Sequence, residues 1–459
     1  MRRLQWFPLP ALLLLAGCAL TPDYERPALD LPPDYIREGA AGESVANLPW
    51  WDLFADDRLR ELVEVALVEN KDLGAALARV AEAQRQVTVT RADQFPFIDI
   101  MGGAGRGRGS QQVTPGTSTR DSFDVSAGLT FEIDLWRKLA RSTEAARADL
   151  LATEAAFRNV TITLVANVAN TYLQLRDLDA RLSIARRTVE GRRDSLAIIE
   201  ARFEKGTVPE LDVNQAQIEL AIAEVAAASF ERGVQQTETA LRVLLGRNPG
   251  PIIRGLALET QALPVEVPAG LPSELLQRRP DVVAAEEQLI AETARIGVAE
   301  ALRYPAFSLT AGFGTASDTL SQIDFNEAKA WSLASAVLAP IFNSGKLKAQ
   351  ANAQRSRAEQ AMRAYEGTLL QALREVEDSL VAVRTLREEH QARTRQVVAA
   401  RNAARLSRAR YDGGVVDYLE VLESERSLFN AELEESRTLG ESLTAVVTLY
   451  KALGGGWNP

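Results

Sequence analysis

Cysteine and histidine are almost missing from this chain of 459 residues, which has one of each, Cys18 and His390. A single cysteine cannot close a disulfide within the chain, and neither a cysteine-based nor a paired-histidine metal site can be built. Beyond Met1 the only methionines are Met101 and Met362, too few for a thioether ladder that would hold copper or silver. Positive charge is in deficit, with 52 Lys and Arg against 62 Asp and Glu. No basic run stands out, so a nucleic-acid partner is excluded. Past the N-terminal leader no stretch reaches the 18 or so consecutive apolar residues of a membrane-spanning helix. Catalytic groupings are absent as well. His390 lies 208 positions after Leu182, at a seam or surface position of a helix, with no second histidine to join it. The glycines of "GGAGRGRG" (102–109) follow a helix and end in a hairpin tip, so they keep a strand slim and cradle no phosphate. Asp281, in Arg278-Arg279-Pro280-Asp281, suits a helix N-terminus as a capping or dipole partner.

The leader itself is informative. "MRRLQWFPLPALLLLAGC" joins Arg2 and Arg3 to an apolar core and small residues, the pattern of a secretory signal over residues 1–17. Leu15-Ala16-Gly17-Cys18 resembles the lipobox of bacterial lipoproteins. That resemblance implies a covalent lipid on Cys18 and no other cofactor, and Ala19 behind it implies sorting to the outer membrane.

Residues 18–56 begin with prolines at 22, 27, 32 and 33, which favour an extended strap. Helix-face spacing then runs from Asp57 to about Asp93, through Leu59, Leu62, Val63, Ala66 and Leu67. At Phe95-Pro96 the period changes to two. Phe123, Val125, Ala127, Leu129, Phe131 and Ile133 alternate with polar or small residues over 123–134, and 97–108 is a glycine-loosened partner strand. The polar stretch between them predicts a hairpin with a long tip. No proline interrupts the chain between Trp136 and Pro209, and Gly191 is the only glycine from Arg137 to Lys205. The helix expected over Lys138–Phe203 is ~100 Å long at 1.5 Å per residue. Leu164, Val168, Thr171, Leu175, Leu178, Leu182, Ala185 and Val189 alternate steps of four and three, a coiled-coil seam. "EKGTVPE" turns the chain, and a return helix spans about Asp212 to Leu245. After a proline-rich linker at 247–272 the programme repeats. A helix covers about Ser273 to Arg303, strands cover 306–314 and 331–342, a second long helix covers Lys346–Tyr411, and Asp417 to Leu453 returns. Sliding by 208 positions lays Arg202, Gly206, Val208, Leu211 and Val213 onto Arg410, Gly414, Val416, Leu419 and Val421. The chain is a tandem duplication, 57–246 and 273–459.

Each hairpin has an apolar face with no conventional core to bury it. Lipid accepts such strands only in a closed barrel, and single-chain barrels begin at about eight strands. One chain of four strands therefore needs copies of itself.

"WWDLFADDRLRELVEVALVENKDL" (50–73), "LPSELLQRRPDVVAAEEQLIAETARIGVAEALRYP" (271–305), "VLAPIFNSGKLKAQ" (337–350) and "SLFNAE" (427–432) resemble signature segments of the TolC-like outer-membrane factors. The likeness is to their lipoprotein branch, which serves tripartite efflux pumps of the resistance–nodulation–division type. It implies a mainly α fold with a membrane β part: a homotrimer whose twelve-stranded barrel continues into a long coiled-coil helical barrel in the periplasm. It implies a non-enzymatic exit duct for small molecules, partnered by a periplasmic membrane-fusion adaptor and an inner-membrane pump. A duct of the same fold serving type I protein secretion is the alternative. By the same resemblance, Asp417, Glu420 and Glu423 fall where family members place acidic rings at the closed periplasmic end. Residues Gly206, Val208, Leu211, Gly414, Val416 and Leu419 of the two turns are the expected adaptor contacts. Val416 stands where TolC-type members carry a latching arginine. Asp417 with Glu420 also fits a helix capping box, and Arg426 is placed to pair with Glu423 along the helix.

Overall fold

The computed structural model describes residues 23–28, 32–36, 49, 55–110, 112, 118–261, 272–324 and 329–455. Cys18, the leader and the tryptophans of "LPWWDLF" lie outside them. The described elements run α1 (Asp57–Glu69), α2 (Lys71–Ala92), β1 (Phe97–Gly107), β2 (Arg120–Ile133), α3 (Lys138–Glu204) and α4 (Glu210–Leu244) in the first half. After a short helical turn, Leu275–Arg278, come α5 (Pro280–Ala301), β3 (Ala306–Ser317), β4 (Lys329–Leu338), α6 (Lys346–Asp412) and α7 (Tyr418–Ala452). Both long helices have 67 residues and both return helices 35. No helix among the described residues is long and apolar enough to cross a membrane.

The helix expected over 57–93 is two helices. Asn70 stands between them with extended backbone. Its side-chain oxygen accepts from Leu73 N at 2.9 Å and its amide donates to Leu244 O at 2.8 Å. One residue thus starts α2 and fastens the end of α4. The chain there has no room to spare: at Gly246 (φ +69°) an added Cβ would stand 2.2 Å from Glu69 O.

The chain divides into two compact units that cut across the sequence repeats. One contains Arg79–Glu154 and Ala284–Glu366 with the N-terminal residues up to Ala28, and so holds the whole sheet. All four strands are antiparallel in the order β1-β2-β3-β4, the β2–β3 pair joining the two repeats. The register puts Ile98, Leu129, Ala311 and Leu333 in one row, and Ile100, Ala127, Phe313 and Trp331 in the next. One face is therefore apolar across all four strands, and Ile100 (79 %) and Trp331 (77 %) are uncovered on it. On the opposite face two glycines have a purpose, Gly103 of β1 and Gly128 of β2. A Cβ at Gly103 would meet Asp124 Oδ1, and one at Gly128 would meet Asp99 Oδ1, so glycine makes room for a facing carboxylate. Strands β1 and β4 are open edges.

Strands β2 and β4 lead into the long helices through left-handed residues, Arg137 (φ 59°) before α3 and Ser344 (φ 50°) with Gly345 (φ 80°) before α6. Trp136 donates from its indole to Pro305 O at 2.7 Å and stacks on Tyr304, tying the two repeats together. The N-terminal strap is pinned in the same unit. Arg26 donates to both oxygens of Glu286 at 2.6 and 2.7 Å, Tyr24 donates to the same carboxylate at 2.9 Å, and Asp23 accepts from the buried Arg141.

The other unit holds Ala155–Val283 and Gly367 onward with residues up to Ala78. Along α3 the predicted seam is buried at Leu164, Val168, Leu175, Leu182 and Ala185, and Ile199 further along is buried as well. Asp56 is its best-connected buried polar group, 2 % exposed. It caps α1 through Arg58 N and accepts from Tyr172 Oη, Leu256 N and Gln261 Nε2, each at 2.8–2.9 Å. Burial pushes the Asp56 carboxyl up, but these donors prevail and hold it below the ordinary carboxylate range. Arg279 is a second such group, donating to Asp281 and to Ala452 O. Asp281 thus serves this clamp at the start of α5 and is no reactive group.

Candidate functional site: the paired turns

The two turns predicted from the repeat lie together. Each begins with a glycine at φ 70°, Gly206 and Gly414, a conformation that costs other residues ~1–2 kcal/mol. Each closes its helix in the same way: Thr207 N donates to Arg202 O at 3.0 Å, and Val415 N donates to Arg410 O at 2.9 Å. Ile199 and Ala216 of the first hairpin share a buried cluster with Tyr418, Val421 and Leu422 of the second. Val208 packs on its edge, with Leu196, Val213 and Tyr411. Arg202 lies 5.1 Å from the Tyr411 ring and 3.9 Å from Asp412. Leu211 and Leu419, at matching positions, point outward, 62 % and 59 % exposed.

Asp417, Glu420 and Glu423 line one open groove with Val416, Leu419 and Ala403. The structure separates their roles. Asp417 occupies the N-cap position of α7, yet its side chain makes no capping hydrogen bond. The capping box is therefore not formed, and Asp417 is exposed at the turn. Glu420 accepts from Arg410 at 2.8 Å, a link back to α6. Glu423 is 3.4 Å from Arg426. That pair is the weaker half of Arg426's bonding, because its guanidinium also reaches Glu219 on α4, from Nε at 3.1 Å.

Glu219 is the residue that sequence reading missed. It is 3 % exposed, and Arg192 of α3 stands 3.0 Å away, itself 5 % exposed. Burial lowers the pKa of Arg192 and the neighbouring Glu219 charge raises it, with burial prevailing. Next to this pair Arg408 of α6 donates to Ser195 at 2.9 Å and lies 3.6 Å from Glu425, whose carboxyl burial pushes up. The signal was a lone glutamate on the buried face of α4, between Ala216 and Ala223. Asp212 was also missed. Burial and then the charge of Asp417 raise its pKa, so the two turns bring their carboxylates within electrostatic reach of each other.

His390 Nδ1 sits 3.8 Å from Glu435 of α7, both side chains partly buried. Among the described residues no three His, Cys, Asp or Glu are placed to hold a metal ion. What the turns present is a hydrophobic tie between two helical hairpins, a buried ion cluster above it and exposed carboxylates around it.

The outer membrane efflux protein family model matches residues 62–247 and 271–455. The chain is similar to the cation efflux system protein CusC of Escherichia coli K12, 34 % identical over 98 % of both chains. It is similar too to the solvent efflux pump outer membrane protein SrpC of Pseudomonas putida, 36 % identical over 98 % of both. Among solved structures, the open state of the Neisseria gonorrhoeae MtrE outer membrane channel superimposes with a TM-score of 0.88 at 30 % identity, over 96 % of this chain and 99 % of that one. A duplicated chain, mainly helical and with four strands, matched end to end by such channels, belongs to the outer membrane efflux protein family.

Proposed function

We propose that this chain is the outer-membrane exit duct of a tripartite efflux pump and that it works as a homotrimer. The observation that carries the trimer is the sheet. It has four strands of 10 to 14 residues, long enough to span a bilayer, a continuous apolar face and two unpaired edges. In lipid such edges must be paired, and a closed ring of copies pairs them all. Twelve strands from three copies make a barrel wide enough for a pore, with the long helices continuing as a periplasmic tube.

In this arrangement Cys18 is diacylglycerated and the strap runs from it to the pins at Asp23 and Arg26. The paired turns form the periplasmic end. Asp417, Glu420 and Glu423 from three copies ring the pore there and favour cations. The outward-facing Leu211 and Leu419, with Gly206, Val208, Gly414 and Val416, meet the membrane-fusion adaptor, which passes cargo on from an inner-membrane pump of the resistance–nodulation–division type. Conduction through this duct is passive.

Reconstitution tests this directly. Purified protein in detergent should have the native mass of three chains and should insert into planar bilayers as a single conducting species. A monodisperse monomer that retains its strand content would overturn the proposal. For the lipid, palmitate labelling should mark the wild type and be lost in Cys18→Ser.

A further inference from the structure

About four turns of α3 ahead of Arg192, helices α3, α4 and α7 of one chain enclose a pocket of about 800 Å³, a size typical of small-molecule sites. Its floor is a stripe of α3, with Asn170, Gln174, Asp177 and Arg181 at steps of four, three and four. One wall is apolar, Val243 and Leu244 of α4, and Val243 is 64 % exposed. The other wall is α7, which passes close to the floor at Gly440. A Cβ there would stand 3.2 Å from Asp177 Cβ.

The polar groups of this pocket are unevenly satisfied. Asp177 is a buried carboxylate, 8 % exposed. It accepts from Ser436 Oγ at 2.7 Å, and Arg181, its counter-charge, is 3.6 Å away. That guanidinium also lies 4.4 Å from the centroid of the Phe230 ring, so its charge is shared. Burial pushes the Asp177 carboxyl up and the charge of Glu441 adds to it, against the hydrogen bond from Ser436 and the charge of Arg181. The net direction is upward. Asp177 is short of positive charge. Two turns earlier on the same stripe, Asn170 Oδ1 is buried and accepts no hydrogen bond. The arginines, by contrast, leave little for an anion. Arg437 is engaged by Glu434 and Glu441, and Arg181, although its Nε lacks an acceptor, is divided between Asp177 and Phe230.

The duplicated fold does not require this carboxylate. Its counterpart 208 positions on is Thr385, which is exposed and donates to Val381 O of its own helix at 2.9 Å. The counterparts of Asn170 and Arg181 are Asp378 and Glu389. Burying a carboxylate that is incompletely neutralised is costly, and at this place only the first repeat does so.

We propose that the pocket between α3, α4 and α7 binds a protonated organic amine, its ammonium on Asp177 and its apolar body along Val243 and Leu244. Asn170 Oδ1, about 10 Å further along the helix, takes a second N–H or O–H donor of a longer ligand. An ammonium supplies what Asp177 lacks, a full charge and donors at hydrogen-bond distance. All the lining residues belong to one chain, so the inference goes beyond the duct proposed above and does not depend on its ring.

Equilibrium dialysis of the full-length protein in detergent at neutral pH tests it. The probe is naphthylmethylamine, with naphthylmethanol as its uncharged counterpart, and protein-free micelles measure partition into detergent. The wild type should bind the amine saturably, one per chain, about tenfold or more tighter than the alcohol. Asp177→Asn should bring the amine down to the affinity of the alcohol and leave the alcohol unchanged. Val243→Trp, at an exposed position, fills the pocket and should abolish binding of both, with native mass and helix content as in the wild type. This second variant carries the test should Asp177→Asn fail to fold. Equal affinity of the wild type for amine and alcohol would overturn the proposal. So would amine binding that survives Asp177→Asn in folded protein, or binding that Val243→Trp leaves intact.

Discussion

Replacing Glu219 with glutamine keeps the side chain's shape and removes its charge, and the structure says what this costs. Arg192, 6 % exposed at the side chain, loses the counter-charge 3.0 Å away. Removing one partner of a buried pair typically costs ~3–5 kcal/mol, and the retained amide oxygen puts this case near the lower end. The Arg426 side chain is 45 % exposed, so solvent takes over most of its share, ~0–1 kcal/mol. The sum, ~3 kcal/mol, acts on the tie between α4 and α7 and amounts to roughly a hundredfold in a local opening constant. Amide hydrogen exchange should therefore speed up about a hundredfold in 192–222 and 418–429, while the sheet stays protected. The double variant Arg192→Leu, Glu219→Leu should restore most of the protection, because no unpaired charge then remains. Exchange in Glu219→Gln that stays within about threefold of wild type would refute the reasoning and show that water reaches Arg192.

Asp417→Asn, Glu420→Gln and Glu423→Gln together should reduce cation preference in planar bilayers without lowering thermal stability, since Asp417 makes no cap. A loss of stability with unchanged selectivity would return these acids to a purely local role. Asp212 has a raised pKa, so its charge opposes the closed turns above that pKa, and the opposition fades as pH falls toward the ordinary 3.8. Protection of the turns should rise on mild acidification, and Asp212→Asn should show a smaller rise and better protection at neutral pH. Asp56 has the opposite sign. Its lowered pKa gives stability that is present above about 3.8 and lost as pH falls further. Asp56→Ala should lose the helix cap and leave Tyr172 unpaired, ~2–3 kcal/mol in thermal or denaturant unfolding. Gly246→Ala combines left-handed strain with a clash on Glu69 O and should destabilise by more than ~2 kcal/mol. Gly206→Ala, with open space around it, should cost only the strain.

Periodicity made most of the fold legible. The lack of proline and glycine, with the repeat, placed both long helices to within a residue at each end. Alternation placed β2, and the repeat placed its later partners, although the strand expected over 331–342 ends at Leu338. The break at Asn70 escaped because it lies in the bonding of one side chain to Leu244 O, 174 positions away. The β2–β3 pairing, which makes one sheet of two hairpins, escaped because alternation says which face is apolar but not which strand lies alongside. At the turns the repeat gave the position of both loops, and helix rules suggested the capping box and an Arg426–Glu423 pair. The structure forms the pair, at 3.4 Å, but not the box. Asp417 makes no capping hydrogen bond, and Arg426 reaches a buried carboxylate on another helix, Glu219, as well as Glu423. Such ion clusters leave only a faint trace in sequence, a charge on an apolar face.

The central claim is that copies of this chain close a barrel around a pore and that the turn carboxylates sit at its narrow end. Single-channel recording of the purified, native-mass-verified protein in planar bilayers tests it most directly. The account predicts discrete conductance steps with cation preference that falls when Asp417, Glu420 and Glu423 are neutralised together. Protein that enters the bilayer and conducts no ions, or conducts with a selectivity indifferent to those three residues, would contradict it.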